Sequence, residues 1–240
     1  MPRANTSMRF GPQQEMAGDE VKIPPSDFLS SFEIGIQFGA ILSVVALYFR
    51  KFFNLEILKR VFVAFVPTAV VGFFLYKLIK HVFMNSTTLV LWSLFLGGIF
   101  LIVFERLHRG TNEGAGVEKL SYKQCFLIGV FQSISVVPGV SRSAATIIGG
   151  LLLGVSRTVI VEFSFLLAVP TMLAATGYDL LKNGFYFSQA QIGIFAVGFV
   201  TSFIVAILAI KFLLRFVQTH NFTVFGVYRV LLAALLFFIL

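Results

Sequence analysis

The stretch Val136-Val-Pro-Gly-Val-Ser-Arg-Ser-Ala-Ala-Thr146 separates two apolar runs with a polar segment that breaks helices. Pro138 has no backbone N–H to donate, and Gly139 tolerates conformations that are closed to other residues. A helix that arrives from Gln124 should therefore end here, and a new helix should begin near Ser141. The stretch thus predicts a break in the chain at which two helices meet.

The first turn of the new helix carries groups that bind anions. Its backbone N–H groups have no helical partners, the helix dipole places positive charge there, and Ser141, Arg142 and Ser143 add two hydroxyls and a guanidinium. An arginine deep in an apolar chain also indicates a function. We interpret the segment as a site for a phosphate-like anion. The alternative is an ordinary cytoplasmic loop in which Arg142 contributes only to membrane topology.

The apolar runs on either side, 125–137 and 144–154, are short. A helix needs about 20 residues to cross about 30 Å of hydrocarbon, so neither run spans a membrane alone. Two half-length helices that meet at a polar turn are typical of a re-entrant hairpin, which we place at about 124–156. Exposed backbone at such a turn is tolerated only where protein or a water-filled cavity surrounds it.

Composition indicates an integral membrane protein. Of the 240 residues, 58% are hydrophobic and only 12% are charged, which leaves too little polar surface for a water-soluble domain. The net charge of +8 does not indicate nucleic acid, because the lysines and arginines lie in short gaps between apolar runs, as orientation signals do. The single cysteine, Cys125, excludes an internal disulfide and a cysteine-based metal cluster.

The apolar pattern predicts an all-α fold of about six transmembrane helices plus the re-entrant pair. The predicted spans are 28–49, 61–79, 89–104, 158–178, 190–214 and 222–240. Residues 1–27 contain four prolines and no apolar run, so we predict a polar arm there that is disordered or lies on the surface. The chain therefore divides into this arm and a polytopic membrane domain at 28–240.

Basic residues are concentrated on one side of this arrangement. The predicted loops 50–60 and 105–123 each carry four lysines or arginines. Arg157, Lys211 and Arg215 fall on the same side if the hairpin enters and leaves by one face of the membrane. The positive-inside rule then places this side in the cytoplasm.

Two polar residues lie one turn apart on the first predicted span. Glu33 and Gln37 share a helix face, because residues four apart lie above one another. A carboxylate near a helix end often only extends to the membrane interface. The alternative is a polar stripe that faces the protein interior.

Several ordered segments resemble the undecaprenyl-diphosphate phosphatase family. They run from Phe32 to Ile41, from Gln132 to Thr146, through Gly149-Gly150 and Gly154-Val-Ser-Arg157, and from Glu162 to Pro170. The resemblance covers approximately residues 27–240. Because it is an ordered string across several helices rather than one short motif, it is specific.

The resemblance implies an enzyme of the bacterial inner membrane. Such an enzyme removes the terminal phosphate of undecaprenyl diphosphate and so recycles the lipid carrier for cell-wall synthesis, an activity associated with bacitracin resistance. It further implies two inverted repeats, each with a re-entrant hairpin at a shared pocket. A divalent cation, Mg²⁺ or Ca²⁺, and a homodimer are implied as well.

The resemblance also implies roles for individual residues. The catalytic, phosphate-binding element would be Ser141, Arg142, Ser143 and Thr146, with Pro138 and Gly139 shaping it for the substrate. Arg142 would stabilise charge as the bridging bond breaks. Either serine could be the nucleophile or only a donor. Four further positions match the family near its pocket, Gln37 and Gln132 as substrate-binding candidates and Glu33 and Glu162 as candidate cation ligands.

The chain departs from the family at its start. Family members begin with a re-entrant helix that carries Glu-x-x-x-Glu and Ser-Ser-Thr-Gly-His, and this chain has no match to either. Glu15 and Asp19 imitate the acidic spacing but lack its apolar setting. We expect a truncated or misassigned start, or a frame change before Ser26, and therefore weak or no catalysis from the chain as written.

Three functions are compatible with these residues. The first is the phosphatase. The second is a translocase of lipid phosphates, because re-entrant inverted repeats are also a transporter architecture. The third is a catalytically impaired protein that binds polyprenyl diphosphate through the cradle at 141–143. We predict a partnership with membrane lipids and no nucleic acid.

Overall fold

The computed structural model describes residues 27–78, 87–108, 116–183 and 192–239, and its regular elements in these ranges are helical. The predicted arm, and with it the place of a first re-entrant pair, lies outside the described residues up to position 26. The helices are α1 Asp27–Leu47, α2 Phe49–Phe52, α3 Leu55–Leu78, α4 Thr87–Leu107, α5 Tyr122–Ser133, α6 Arg142–Leu152, α7 Arg157–Asn183, α8 Ile192–Thr219 and α9 Thr223–Ile239.

Six of these helices coincide with the six predicted spans. Four are long and apolar enough to cross a membrane, through Leu55–Leu75, Thr87–Leu107, Arg157–Gly177 and Ile192–Thr219. The apolar parts of α1 and α9, Phe32–Leu47 and Thr223–Ile239, are shorter. The chain is an all-α, multi-pass membrane protein, and exposed phenylalanines such as Phe73, Phe74 and Phe238 suit a lipid-facing exterior.

The second span begins earlier than predicted, because Asn54 initiates α3. The Asn54 side chain accepts a hydrogen bond from the backbone N–H of Glu56 at 3.0 Å, and Arg60 donates to the Glu56 carboxylate one turn later at 3.0 Å. Capping and the ion pair stabilise a helical turn that the apolar pattern alone does not show. The prediction that Lys59 and Arg60 lie in a loop was therefore wrong.

Helix α7 is the centre of the bundle. Half of its spanning part is buried, compared with 28% or less in the other three long apolar helices. It packs against α1, α3, α6 and α8, while α1 pairs with α8 and α4 pairs with α9. The main core of α3, α5, α6 and α7 includes Ile128, Leu151 and Phe163, each 1% exposed or less.

Helices α5 and α6 form a hairpin whose two ends meet. A capping box of Ser121 and Gln124 begins α5, and a short 3₁₀ turn, Ile134–Val136, follows it. Helix α6 ends at Leu152 and is followed by Gly154, which has a φ of +77°. The side chain of Gln124 donates to the carbonyl of Leu153 at 3.1 Å. The chain thus returns to the side from which α5 started.

Candidate functional site

The turn between α5 and α6 is pressed against α4. Gly139 has a φ of +87°, and a Cβ on it would lie 2.6 Å from the carbonyl oxygen of Val90 and 2.8 Å from the Cβ of Ser93. Both the backbone angle and the contact require glycine. Half-buried Pro138 precedes it in the turn. Ser93 is 14 residues from the Leu107 end of α4, so the rise of a helix places the turn about 20 Å from that end.

Helix α6 begins directly after this turn with a side-chain cap. Ser141 is the N-cap, and its Oγ accepts a hydrogen bond from the backbone N–H of Ala144 at 3.3 Å. The hydroxyl of exposed Ser143 lies 3.1 Å from the Ser141 Oγ. The remaining N–H groups of the first turn have no helical acceptors, so they can bind an anion.

Arg142 adds a guanidinium to this helix end. Its Nη1 donates to the carbonyl of Ala168 on α7, but the distance is 3.5 Å, so the bond is weak. None of the carboxylates among the described residues pairs with it. The positive charge of Arg142 is therefore available to a bound anion.

Two cavities meet at Arg142. The larger has a volume of about 500 Å³. Its polar lining includes Ser141 and Ser143 at the start of α6, together with Arg229, and leucines and phenylalanines dominate the rest of the lining. The smaller has a volume of about 220 Å³ and lies among apolar residues of α1, α7 and α8. A charged headgroup with an apolar tail fits such a combination of surfaces.

Gln132 and Thr146 lie behind the helix end rather than in the cavity. Gln132 is 1% exposed and Thr146 is 0% exposed. The Thr146 hydroxyl donates to Oε1 of Gln132 at 3.0 Å, and Nε2 of Gln132 donates to the hydroxyls of Thr68 at 3.1 Å and Thr171 at 3.2 Å. Gln132 thus ties α3, α5, α6 and α7 together, and its contribution to the site is to hold α6 in place.

Gln37 and Glu33 lie on α1, outside the lining of both cavities. Gln37 is exposed and accepts a hydrogen bond from the hydroxyl of Thr176 at 2.9 Å. Ile41, one turn further along α1, lines the smaller cavity. Exposed Glu33 is one turn away in the opposite direction, so the structure does not bring it to Arg142.

Glu162 is occupied by an ion pair with Lys51 at the end of α2. The nearby hydroxyl of Tyr48 is buried without a hydrogen-bond partner, and the pKa of Tyr48 is raised by its burial and, to a smaller extent, by the charge of Glu162. Glu33 is 14 residues before the end of α1, which corresponds to about 20 Å of helix. The two glutamates therefore do not share a site.

The two candidate cation ligands, Glu33 and Glu162, do not come together in the structure. Within them, no group of three or more histidines, cysteines, aspartates or glutamates is close enough to hold a metal ion. Glu162 is already paired with a lysine, and Glu33 is distant from it. A cation held jointly by these two carboxylates does not fit the structure.

Comparison with known proteins shows the family. The model of the family described as bacitracin resistance protein BacA matches residues 15–235. The chain belongs to the BacA family. A protein of Aquifex aeolicus named undecaprenyl-diphosphatase is 49% identical to this chain, and the match covers 88% of this chain and 82% of the relative. A protein of the same name from Sulfurihydrogenibium sp. is 48% identical, with 85% of this chain and 81% of the relative covered. The one from Bdellovibrio bacteriovorus is 43% identical, with 94% and 86% covered.

Membership of the BacA family confirms the resemblance found in the sequence, while the individual residue roles stay predictions. Arg229 on α9 is a charged residue of the cavity that the sequence pattern did not single out. Its signal was present, because a charged residue within an apolar membrane helix marks a functional or packing site.

Proposed function

We propose that this chain hydrolyses undecaprenyl diphosphate to undecaprenyl phosphate and inorganic phosphate. The observation that carries the proposal is the start of α6, where free N–H groups, two serine hydroxyls and the unpaired Arg142 meet a largely apolar cavity of about 500 Å³. The names of the relatives support the same substrate. The reaction would recycle the lipid carrier for cell-wall synthesis.

In the proposed reaction, water adds to the terminal phosphorus, and the bond from that phosphorus to the bridging oxygen breaks. The leaving group is the lipid monophosphate, and the water proton is released to solvent or to a phosphate oxygen. The N–H groups of α6 and the Arg142 guanidinium would bind the phosphate oxygens and stabilise the charge that develops during transfer. Their fixed positions supply this stabilisation without reorganisation.

The serines are proposed as phosphate-binding donors. Ser141 is engaged as the N-cap of α6, and the Ser143 hydroxyl is hydrogen-bonded to the Ser141 hydroxyl. No carboxylate or imidazole among the cavity-lining residues is positioned to deprotonate either hydroxyl. A serine nucleophile needs such a base, so the geometry favours binding.

A divalent cation remains part of the proposal only through the family resemblance. Because the described residues lack a matching set of oxygen ligands, we assign no step of the reaction to it. The same resemblance supports the inner membrane of a bacterium as the location and a homodimer as the assembly. Comparing phosphate release in EDTA with release in Mg²⁺ or Ca²⁺ tests the cation, and light scattering of the purified protein tests the dimer.

Phosphate release from undecaprenyl diphosphate by the purified chain tests the proposed function. We expect release by the native chain, rather than the weak or absent catalysis predicted from its start, because relatives named undecaprenyl-diphosphatase match most of it. Arg142→Met should lose at least about 100-fold, with Arg142→Lys intermediate because it keeps the charge but loses the planar fork. Arg215→Met, at an exposed position near the end of α8, is the control and should retain activity.

Two results would overturn the phosphatase, and a third would overturn the role of the α6 cradle in it. Binding of the lipid without release, with or without added Mg²⁺ or Ca²⁺, would identify a catalytically silent binder. Movement of the lipid across proteoliposomes without release would identify a translocase. Equal rates for native and Arg142→Met protein would show that phosphate release does not use this cradle.

A further inference from the structure

Arg229 lies in an apolar helix and contacts the turn that precedes the phosphate site. Its Nη2 donates to the carbonyl of Gly139 at 2.9 Å, and weaker contacts of 3.4 Å reach the carbonyls of Ser93 and Leu94 on α4. Among the described carboxylates, none forms a salt bridge with it. A charged side chain in a membrane helix has a high free-energy cost, so the presence of Arg229 here indicates a role beyond packing.

Gly97 on α4 leaves room for the Arg229 guanidinium because it has no side chain. A Cβ added to Gly97 would lie 2.7 Å from Nη2 of Arg229, and a Cβ added to Gly98 would lie 2.8 Å from the carbonyl oxygen of Gly226 on α9. The two helices therefore approach through glycines, as closely packed membrane helices do. This approach brings the Arg229 side chain across α4 to the tip of the hairpin.

The contact with Gly139 lies close to the start of α6. Gly139 is two residues before Ser141, the N-cap, and Val90 on α4 also limits its movement. Arg229 therefore holds the turn from α9 while α4 supports it. Without this hydrogen bond, the turn that precedes α6 would lose its contact with α9.

Arg229 and Arg142 line the same cavity. Together they place two positive charges there, and its lining includes no aspartate or glutamate. A lipid diphosphate carries on the order of two to three negative charges at neutral pH, since the second ionisation of a phosphate has a pKa of about 6. The charge of the cavity thus suits the headgroup of the proposed substrate.

We propose that Arg229 is a positioning residue of the phosphate site, which holds the Gly139 carbonyl and so keeps the start of α6 and Arg142 directed into the shared cavity. This inference rests on the proposed function for its substrate. It concerns how the cradle is held, and it assigns to Arg229 no contact with the reacting phosphorus.

The test compares Arg229→Met and Arg229→Lys with a variant that moves the guanidinium but keeps its charge. Gly97→Ala is that variant, because its methyl group would displace Nη2 from its present position. Gly72→Ala in α3 is the matched control, since a Cβ there meets nothing within 4 Å. Each protein is assayed for kcat and KM with undecaprenyl diphosphate, and for binding of inorganic diphosphate by calorimetry.

For Arg229→Met and Gly97→Ala we expect kcat to fall about 100-fold, as a displacement near 1 Å at a catalytic site can cause, with KM changed less than threefold because the lipid tail binds elsewhere. Binding of inorganic diphosphate should weaken about tenfold, and Arg229→Lys should recover part of both losses. Gly72→Ala should behave as the native chain.

Gly97→Ala with kcat and diphosphate affinity within twofold of Gly72→Ala would overturn the inference, even if Arg229→Met fails to fold. If the native chain releases no phosphate, the proposed function fails. Binding of inorganic diphosphate then decides the inference separately: weakening in Gly97→Ala supports it, and unchanged binding overturns it.

Discussion

Gln132 on α5 and Thr146 on α6 are hydrogen-bonded across the hairpin, with 3.0 Å between Oε1 and Oγ1, and both side chains are buried. The same glutamine donates to Thr68 and Thr171, whose own hydroxyls donate to the carbonyls of Gly129 and Leu167. Each polar atom of the amide therefore has a partner, as buried polar groups require. The start of α6 is fixed from behind by a saturated polar network.

Removing the amide of Gln132 should loosen this network. In Gln132→Met the side chain keeps its length but loses three hydrogen bonds, and we expect the free energy of unfolding to fall by about 2–3 kcal/mol. Thermal unfolding in detergent measures the change. Gln37→Met, which removes one bond at an exposed position, should cost less; an equal loss in both variants would contradict the role of Gln132.

The two described glycines with positive φ, Gly139 and Gly154, allow the cost of backbone strain to be measured apart from the cost of a steric clash. Gly154→Ala meets open space and should cost only the backbone strain, about 1 kcal/mol. Gly139→Ala has similar strain and also collides with Val90 and Ser93, so it should lower stability further and reduce diphosphate binding at least tenfold. Calorimetry and thermal unfolding compare them. Equal behaviour of the two variants would show that the contact with α4 is unimportant.

Glu105 and Arg157 form a buried, two-bonded ion pair at 2.6 and 3.0 Å, and the Arg157 guanidinium also lies over the ring of Phe222. Glu105→Gln leaves a buried charge without its partner and should destabilise the protein by about 3–5 kcal/mol. In Glu105→Gln/Arg157→Gln the loss should be smaller than the sum of the single losses, which a double-mutant cycle measures. Lys59→Gln, in an exposed ion pair with Glu56, is the control and should show little change. Additive losses would mean that the two charges do not interact.

Tyr48 carries a buried hydroxyl without a partner, so Tyr48→Phe should leave stability unchanged or raise it by about 1 kcal/mol. Tyr122→Phe is the opposite case, because the Tyr122 hydroxyl donates to Glu56 at 3.0 Å. Loss of this hydrogen bond should lower the stability of the protein. A destabilised Tyr48→Phe protein would reveal a partner for the hydroxyl.

The raised pKa of Tyr48 also predicts a dependence on pH, with burial as the main cause and Glu162 as the second. The folded protein keeps this proton above about pH 10, where a tyrosine in the unfolded chain ionises, so the native chain should lose stability as the pH rises past this value. Unfolding between pH 8 and 11 should show a steeper decline for the native chain than for Tyr48→Phe. Parallel curves would contradict the assignment.

The sequence predicted the parts of this protein that depend on neighbouring residues. The Pro138–Gly139 break, the cap at Ser141 and the apolar lengths are local, so the hairpin and six helical segments followed from them. The early start of α3 was missed because an asparagine cap and an ion pair, rather than apolar spacing, extend that helix.

The sequence pattern does not predict contacts between residues that are far apart in the chain. Arg229 meets Gly139 across 90 residues of chain, and Gln132 meets Thr68 across 64. Their roles depend on how α9 packs on α4 and how α5 packs on α3, which glycines and small side chains at the contacts determine. The separation of Glu33 from Glu162 likewise follows from helix length once both are placed in the fold.

The hydrogen bond from α9 to the hairpin turn has a consequence for biosynthesis. Helix α9 begins some 70 residues after α6 ends, so the ribosome synthesises the hairpin well before it reaches Arg229. A nascent chain that carries every serine of the cradle would still wait for this helix to insert and dock. Assembly of the site thereby depends on a helix that is synthesised after the cradle itself.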